Sequence, residues 1–205
     1  MGILTMVLGF LWPHGAGADT RAGIAAYRSG DYETALRELN RSAENGDPQG
    51  LYNLGVAYAE GKAVPRDMAK AIDLYGRAAA RGSVFAAYNL GQLYRKGDGV
   101  GADPAKAARW YEKAAKRGDY RAANELGLLM VQGKGVPRDP VEGFAWIYTG
   151  TVADIMDETS MANAIQLAGM LDRAQIQTAQ SRGQNYYKRY IAPNRAVVRA
   201  IKVGR

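Results

Sequence analysis

Cysteine is absent from this chain of 205 residues, and its single histidine is His14. Without cysteine there is no disulfide framework, no thiol nucleophile and no cysteine metal site. His14 lies in an N-terminal segment that we expect to be removed. The mature chain would then lack the Ser-His and Cys-His nucleophilic pairs and histidine-ligated zinc. Only an all-carboxylate mechanism stays formally open, and we expect neither a metal nor a cofactor.

Acidic residues are missing from the C-terminal end. Residues 173–205 contain eight Arg or Lys and no Asp or Glu, whereas the rest of the chain has a net charge of −1. We predict a basic tail at 193–205 that could contact an acidic surface, such as an acidic partner or anionic lipid. A solvated, partly disordered tail is the alternative. No Gly-rich phosphate loop or nucleic-acid fold accompanies it, so we expect no nucleic-acid partner.

The N-terminus has no apolar run long enough to cross a bilayer. The run from Ile3 to Trp12 is about half of that length. Pro13 ends it, and small residues at 16–18 precede Asp19. This pattern predicts a signal peptide at 1–18 and a periplasmic or secreted protein, without a transmembrane span in the mature chain. No Lys or Arg precedes the run, however, and an apolar N-terminal helix docked on the rest of the protein is the alternative.

An internal repeat of 36 residues occupies the middle of the chain. Several features recur in one register: a Leu-Gly pair at Leu54-Gly55, Leu90-Gly91 and Leu126-Gly127, a glycine at Gly61, Gly97 and Gly133, a valine at Val64, Val100 and Val136, and an aspartate at Asp67, Asp103 and Asp139. So many matches do not arise by chance. We conclude that three copies of one supersecondary unit follow each other.

Each copy is predicted to form two helices, A and B, joined by a glycine-containing turn. The aspartate begins helix B as its N-cap, because Pro follows it directly in the second and third copies. Solenoid geometry separates these aspartates, so we interpret them as caps and not as a carboxylate cluster. The glycine within helix A costs roughly 0.5–1 kcal/mol against alanine. We expect it where helix B approaches too closely for a Cβ atom, and we place Trp110 and Trp146 in the core.

This pattern resembles the Sel-1-like repeat (SLR) family, a relative of the tetratricopeptide repeat (TPR). The residues that carry it best are Leu90, Gly91, Tyr94, Gly97, Gly99, Val100, Asp103, Lys106, Ala107, Trp110, Tyr111, Ala114, Ala115 and Gly118. The resemblance covers about Arg21 to Tyr148. It implies an all-α, right-handed α-solenoid of antiparallel helix pairs and a role as an adaptor or regulator, while the partner is not implied.

The resemblance divides the chain into consecutive segments. After the signal peptide we place a TPR-like hairpin at 19–49, SLR units at 50–85, 86–121 and 122–157, a helical C-terminal cap at 158–192 and the basic tail. The third unit departs from the pattern at Met130 and at Glu142-Gly143, where the first two units have Tyr and Lys-Ala. We expect looser packing of its helix pair.

A partner-binding groove is predicted on the concave side, which helix A lines in TPR-like solenoids. The residues opposite the Leu-Gly stripe are Tyr52, Asn53, Val56, Phe85, Tyr88, Asn89, Gln92, Lys96, Arg121, Asn124, Glu125 and Leu128. We expect the aromatic rings to be accessible, the asparagines to bond a peptide backbone and Arg121 to meet a carboxylate. The alternative is that the aromatic rings pack between neighbouring helices.

The predicted function is protein or peptide binding in the bacterial cell envelope. The alternative is a cell-wall or β-lactam-active enzyme, because some cysteine-rich relatives have been described as penicillin-binding or β-lactam-hydrolysing. A serine acyl enzyme of that kind needs a Lys three residues after its Ser. No Ser in this sequence has one. We therefore predict a non-catalytic protein.

Overall fold

The computed structural model describes residues 17–152 and 158–203, and these ranges contain helices and turns but no strand. The helices are α1 Ala18–Ser29, α2 Tyr32–Glu44, α3 Pro48–Glu60, α4 Met68–Ala80, α5 Val84–Lys96, α6 Pro104–Ala115, α7 Tyr120–Gln132, α8 Pro140–Val152, α9 Glu158–Ala168, α10 Arg173–Tyr186 and α11 Arg195–Val203. A π-helical turn, Tyr187–Ile191, and a 3₁₀ turn, Ala192–Asn194, join α10 to α11. The apolar run of the predicted signal peptide lies outside the described residues.

Each of the three repeats begins helix B with an aspartate cap, as predicted. The carboxylates of Asp67, Asp103 and Asp139 each accept a hydrogen bond of 2.9 Å from the backbone N–H three residues later. The cap satisfies one of the N–H groups that a helix start leaves without an internal partner. The cap interpretation of these residues is therefore confirmed.

The glycine within helix A makes room for an aromatic ring of helix B. A Cβ atom on Gly55 would lie 2.8 Å from the ring of Tyr75, and one on Gly91 would lie 2.5 Å from the ring of Tyr111. Both tyrosines are fully buried. The expected close approach of the two helices is confirmed, and it accounts for a residue that disfavours helix formation.

Consecutive helices pack against one another from α1 to α8 and enclose one continuous core. Leu54, Leu90 and Leu126 occupy the same place in successive repeats, and each is at most 4% exposed. Tyr75 and Tyr111 lie beside them, and small alanines fill the remaining helix contacts. The fold is therefore a solenoid of helical repeats.

The third repeat is not loosely packed, and that expectation is wrong. A Cβ atom on Gly127 would lie 2.5 Å from the carbonyl oxygen of Gly143, and one on Gly143 would lie 2.6 Å from the carbonyl oxygen of Gly127. Two glycines face each other, so the backbones of α7 and α8 come closer than any side chain would allow. The departure from Lys-Ala to Glu142-Gly143 tightens this helix pair.

The chain after the repeats folds back onto α8 through α10. The rings of Trp146 and Tyr186 stack with their centroids 4.5 Å apart, and the ring of Tyr190 lies 5.9 Å from Trp146. Gly183 removes the side chain at the point of closest approach, because a Cβ atom there would lie 2.7 Å from the carbonyl oxygen of Ala145. Trp146 is thus a core residue, as predicted, whereas Trp110 is half-buried beneath Lys113.

The predicted tail is not a solvated, disordered segment. Residues 195–203 form α11, in which Ala200 and Ile201 are buried. Ile201 belongs to a small apolar cluster with Tyr120 of α7 and Ile191, and the half-buried Phe85 of α5 packs against this cluster. The sequence Val197-Val198 followed by Ala200-Ile201 gives the helix an apolar side between its basic residues, and that side covers the solenoid.

A candidate protein-binding surface

Half of the twelve residues predicted to line an open groove are buried, and five of the others are half-buried. Asn53 and Val56 have no exposed surface, while Tyr52, Tyr88, Asn89 and Gln92 are at most 8% exposed. Phe85, Arg121, Asn124, Glu125 and Leu128 are half-buried, and Lys96 is exposed. The alternative interpretation, in which the aromatic rings pack between neighbouring helices, is the one that the structure supports.

Tyr52 illustrates how the first two repeats use this side of helix A. Its ring lies 5.7 Å from Tyr75 and 6.1 Å from Phe85, measured between centroids. Its hydroxyl accepts a hydrogen bond of 3.3 Å from the side-chain N–H of Asn89 in the next repeat. Burial raises the pKa of Tyr52 to about 12. Tyr52 and Asn89 therefore join two repeats.

Tyr88 makes the corresponding contacts one repeat later. Its ring lies 6.0 Å from Tyr111, and the guanidinium of Arg121 lies 4.2 Å from the ring centroid. Gln92 donates a hydrogen bond of 2.9 Å to its hydroxyl. Burial raises the pKa of Tyr88 to about 12, although the charge of Arg121 acts in the opposite direction. Tyr88 is consequently a packing residue of α5.

Arg121 does not await a carboxylate from a partner, because it already has one. Its guanidinium donates to both carboxylate oxygens of Asp119, at 3.1 and 2.8 Å, and Asp119 is fully buried. Burial lowers the pKa of Arg121, but the attraction of Asp119 outweighs it and leaves the pKa above its ordinary value. This bidentate pair is satisfied within the protein.

Three of the remaining predicted polar residues, Asn53, Gln92 and Glu125, bond along or between the A helices. Asn53 donates to the backbone carbonyl of Gln49 at 2.9 Å, and Gln92 also donates to Glu125 at 3.4 Å. Arg95, which the sequence did not single out, pairs with the same Glu125 at 3.6 Å. These side chains form a row of polar contacts along and between the A helices. Their recurrence in the sequence therefore reflects how successive repeats stack.

An open part of the surface lies where α3 and α5 begin. Pro48, Gln49, Tyr52, Ser83 and Phe85 line a shallow pocket of about 10 Å³, which is room for about one water molecule. Ser83 is also the N-cap of α5, where its hydroxyl accepts from the backbone N–H of Ala86 at 3.3 Å. Sequence analysis found Tyr52 and Phe85 but missed Pro48 and Ser83. Both lie at the start of an A helix, Pro48 as its first residue and Ser83 as its N-cap, and this position was the signal that could have indicated them.

The C-terminal helix borders this pocket. Phe85 packs with the cluster of Tyr120, Ile191 and Ile201, so α11 lies beside one wall of the pocket. Asn194 also lies over the turn before α7, because a Cβ atom on Gly118 would approach its Cβ to 2.5 Å. No periodicity in the repeats could indicate this, since α11 lies outside the repeated register. The accessible surface therefore combines repeat residues with the C-terminal segment.

Two kinds of site were sought within residues 17–152 and 158–203, a cluster of metal ligands and a membrane-spanning helix. No three His, Cys, Asp or Glu residues in these ranges cluster as metal ligands would. Likewise, no helix among the described residues is long and apolar enough to cross a membrane. The arrangement offers no observation in favour of the enzyme alternative.

Comparison with known proteins identifies the repeats. The family model described as the Sel1 repeat matches residues 48–83, 84–119 and 121–148. A structure of a Sel1 repeat protein from Oxalobacter formigenes matches with 30% identity and a TM-score of 0.63, over 70% of this chain and 43% of that one. A protective antigen of uropathogenic Escherichia coli with an SLR fold matches with 28% identity and a TM-score of 0.55, over 88% of this chain and 48% of that one.

The chain thus spans less than half the length of either of these two proteins. A search of the curated proteins finds no match. The matched repeats begin at 48, 84 and 121, close to the predicted unit boundaries at 50, 86 and 122. The first two coincide with the starts of α3 and α5. The three helix pairs between residues 48 and 148 are Sel1 repeats.

Proposed function

We propose that this protein is an adaptor or regulator of the bacterial cell envelope that binds a protein or peptide at the pocket between α3 and α5. Sel1-repeat proteins generally mediate protein–protein interactions and are typically non-catalytic scaffolds. That general role extends to this chain through its three repeats. The pocket supplies a place where such a contact can form.

The observation that carries the proposal is the half-buried ring of Phe85 at the edge of a concave site. Pro48 and Phe85 flank a shallow depression that Ser83 and Gln49 also line, so a partner would contact its rim rather than enter it. Binding sites commonly combine apolar walls with a few polar groups that orient the ligand. Aromatic anchors in such pockets dominate many protein interfaces.

The envelope location rests on the N-terminal sequence. A short apolar run is followed by small residues at 16–18, and the first described helix begins at Ala18. Cleavage after Ala18 would leave Thr20 in place, whose hydroxyl bonds Asp47 at 2.5 Å and ties α1 to the start of α3. N-terminal sequencing of protein from the native host tests this. An intact Met1 in cytoplasmic protein contradicts the proposed export.

The binding proposal is tested by crosslinking in native cells, identification of the captured protein and measurement of its affinity in vitro. Phe85→Ala should weaken binding at least tenfold, or about 1.4 kcal/mol. Tyr94→Ala is the matched control, because Tyr94 is a half-buried ring at the other end of the same helix. Equal effects of the two variants, or full binding by Phe85→Ala, would show that the pocket is not the docking site.

A further inference from the structure

The C-terminal segment presents a cationic surface that the protein itself does not neutralise. Lys188, Arg189, Arg195 and Arg199 are exposed, and none of them forms an ion pair with a carboxylate among the described residues. Arg182 is the residue of this segment that does, with Glu142 at 3.0 Å. In the rest of the chain, acidic and basic residues nearly balance. The excess positive charge is therefore concentrated in one part of the surface.

Docking of α11 fixes the direction of its charges. Ala200 and Ile201 are buried against the solenoid, while Arg195 and Arg199, four residues apart, share the exposed side of the helix. A disordered tail would spread these charges over many positions. The ordered helix instead holds them in a fixed pattern, and Lys188 and Arg189 precede it in the π-helical turn Tyr187–Ile191.

Two carboxylates next to residues that contact this segment, or in contact with it, are already paired. Asp119 follows Gly118, which lies against Asn194, and both of its oxygens accept from Arg121. Glu142 accepts from the hydroxyl of Tyr186 and from Arg182. Neither of these two carboxylates is free to neutralise the exposed arginines, so mutual repulsion among the arginines remains.

Two further basic residues lie between α6 and α7, just before Gly118 in the chain. Lys116 pairs with Glu112, and Arg117 donates to the backbone carbonyl of Ala79 at 3.3 Å. Both precede Gly118, against which the C-terminal segment lies. Of these two residues, Arg117 keeps a positive charge that no carboxylate among the described residues pairs with.

We propose that this basic surface, formed by Lys188, Arg189, Arg195 and Arg199, binds an acidic segment of a partner protein. Carboxylates placed along the turn Tyr187–Ile191 and along α11 would pair with guanidinium groups in the bidentate geometry that Arg favours. Such complementarity speeds association and excludes partners of the wrong charge.

A protein partner fits this surface better than a lipid bilayer. An amphipathic helix that binds membranes buries its apolar side among the lipids. The apolar side of α11 is already buried, with Ile201 only 2% exposed. Binding to a bilayer through that side would require α11 to leave the solenoid, whereas an acidic protein segment can use the basic side as it stands.

The same surface lacks the aromatic platform that single-stranded nucleic acid uses. Tyr186, Tyr187 and Tyr190 alternate with basic residues, a pattern that suits base stacking. However, Tyr186 and Tyr190 stack on Trp146, and Tyr187 packs with Ile191 and Ile201. The rings are engaged in packing within the protein, and only the charges face outward.

The inference adds a chemical class to the partner, and it rests on the proposed binding function where it places both contacts on one protein. Phe85 borders the pocket and also packs with the cluster under α11. A partner with an apolar anchor and neighbouring Asp or Glu residues would contact both surfaces. The basic surface can nevertheless be tested without the pocket.

The experiment measures binding of a fluorescein-labelled oligoglutamate peptide to the full chain by fluorescence anisotropy at low salt. Arg195→Glu combined with Arg199→Glu should weaken binding by about tenfold or more, because each reversal replaces an attraction by a repulsion. The control, Arg109→Glu with Lys134→Glu, changes the net charge equally at exposed positions of the repeats. It should bind within about twofold of the unaltered protein, and added salt should weaken binding of both.

Several outcomes would overturn the proposal. They are no binding of the peptide by the unaltered protein, equal losses in the two charge-reversal variants, or tighter binding to vesicles of phosphatidylcholine and phosphatidylglycerol or to duplex DNA than to the peptide. Circular dichroism confirms that the variants fold. Pro48→Ala serves to separate the two proposals, because Pro48 lines the pocket but does not belong to the cluster under α11. It should leave oligoglutamate binding intact even if the pocket binds no partner.

Discussion

The first two Sel1 repeats and the third repeat solve the same packing problem with different side chains. In the first two, a lysine of helix B lies over a tyrosine of helix A: the Nζ atom of Lys70 is 4.2 Å from the ring centroid of Tyr58, and that of Lys106 is 5.3 Å from Tyr94. The third repeat replaces both partners, with Met130 and Glu142 at these positions. The third repeat therefore lacks both members of the cation–π pair, and the carboxylate of Glu142 is available to bind α10.

Other positions of the third repeat also replace aromatic residues that the first two repeats share. Asn124 takes the place of Tyr52 and Tyr88, and Ile147 takes the place of the two buried tyrosines of helix B. Aromatic packing between repeats gives way to direct backbone contact between α7 and α8. The comparison teaches that departures from a repeat pattern can mark the end of a solenoid, where the next partner is a C-terminal helix and not another repeat.

The largest expected effect concerns the side chains that join the second repeat to its neighbours. Tyr88→Ala with Asn89→Ala should lower the free energy of unfolding by about 3–5 kcal/mol, the cost of truncating a buried aromatic residue. Both residues are at most 7% exposed. The equivalent pair in the third repeat, Asn124→Ala with Glu125→Ala, should cost about 1 kcal/mol or less because both are half-buried. Urea melts of the two variants test the difference.

A second prediction compares the glycines of helix A. Gly127→Ala should cost about 2–3 kcal/mol, because its Cβ atom would meet the backbone of Gly143 at 2.5 Å. Gly55→Ala should cost about 1 kcal/mol or less, since the ring of Tyr75 can shift and alanine favours the helix. Urea melts decide the order. If Gly55→Ala were the more damaging variant, backbone contact would not be what distinguishes the third repeat.

A third prediction is that strong alkali destabilises the first two repeats first. Burial raises the pKa of Tyr52 and Tyr88 to about 12, so the folded protein holds these protons after the unfolded chain has released them. Stability should be constant below about pH 10 and fall between about pH 10 and pH 12, by up to about 2–3 kcal/mol for each ring. Urea melts across this range should show a shallower fall for Tyr52→Phe.

Hydrogen exchange measured as the pH rises locates the effect. Amides of α3 and α5 should lose protection before those of α7, because the third repeat has Asn124 and Ile147 where the first two have buried tyrosines. Uniform loss of protection along the solenoid would contradict a difference between the repeats.

Much of the fold followed from periodicity, because each repeated residue has a local physical task. The aspartate caps and the close approach at Gly55, Gly91 and Gly127 depend on neighbours within one repeat, so spacing alone identifies them. The same reasoning predicted that Leu90 lies in the core, where it is 1% exposed. Sequence analysis was reliable wherever one repeat determines the contact.

The candidate site was harder to predict because burial on the A helices depends on how closely successive repeats stack. A helical wheel places Tyr88 opposite Leu90, and it cannot show that Arg121 and Tyr111 enclose Tyr88 from two other helices. Folding back of α11 depends on contacts across more than 70 residues, from Ile201 to Tyr120, which repeat spacing does not encode. Neither the helical wheel nor the repeat spacing predicts that Arg121 forms a bidentate ion pair with Asp119.

The smallest expected effect returns to the exchange that separates the third repeat from the others. Glu142→Gln should lower the free energy of unfolding by about 1 kcal/mol, because Glu142 accepts from Tyr186 at 2.6 Å and from Arg182 at 3.0 Å, and glutamine keeps an acceptor but not the charge. Lys106→Gln, the equivalent position in the second repeat, should cost about 0.5 kcal/mol or less, since its pair with Tyr94 is exposed.

The pKa of Tyr186 provides a readout that a loss of packing alone would not give. Burial, and then the hydrogen bond to Glu142 and its negative charge, raise this pKa to about 12. Glu142→Gln removes the charge, so tyrosinate absorbance should show one tyrosine that titrates at a lower pH than in the unaltered protein. Lys106→Gln should leave that titration unchanged. If Glu142→Gln left the titration of Tyr186 where it was, the carboxylate would not hold α10, and the exchange of lysine for glutamate in the third repeat would need another cause.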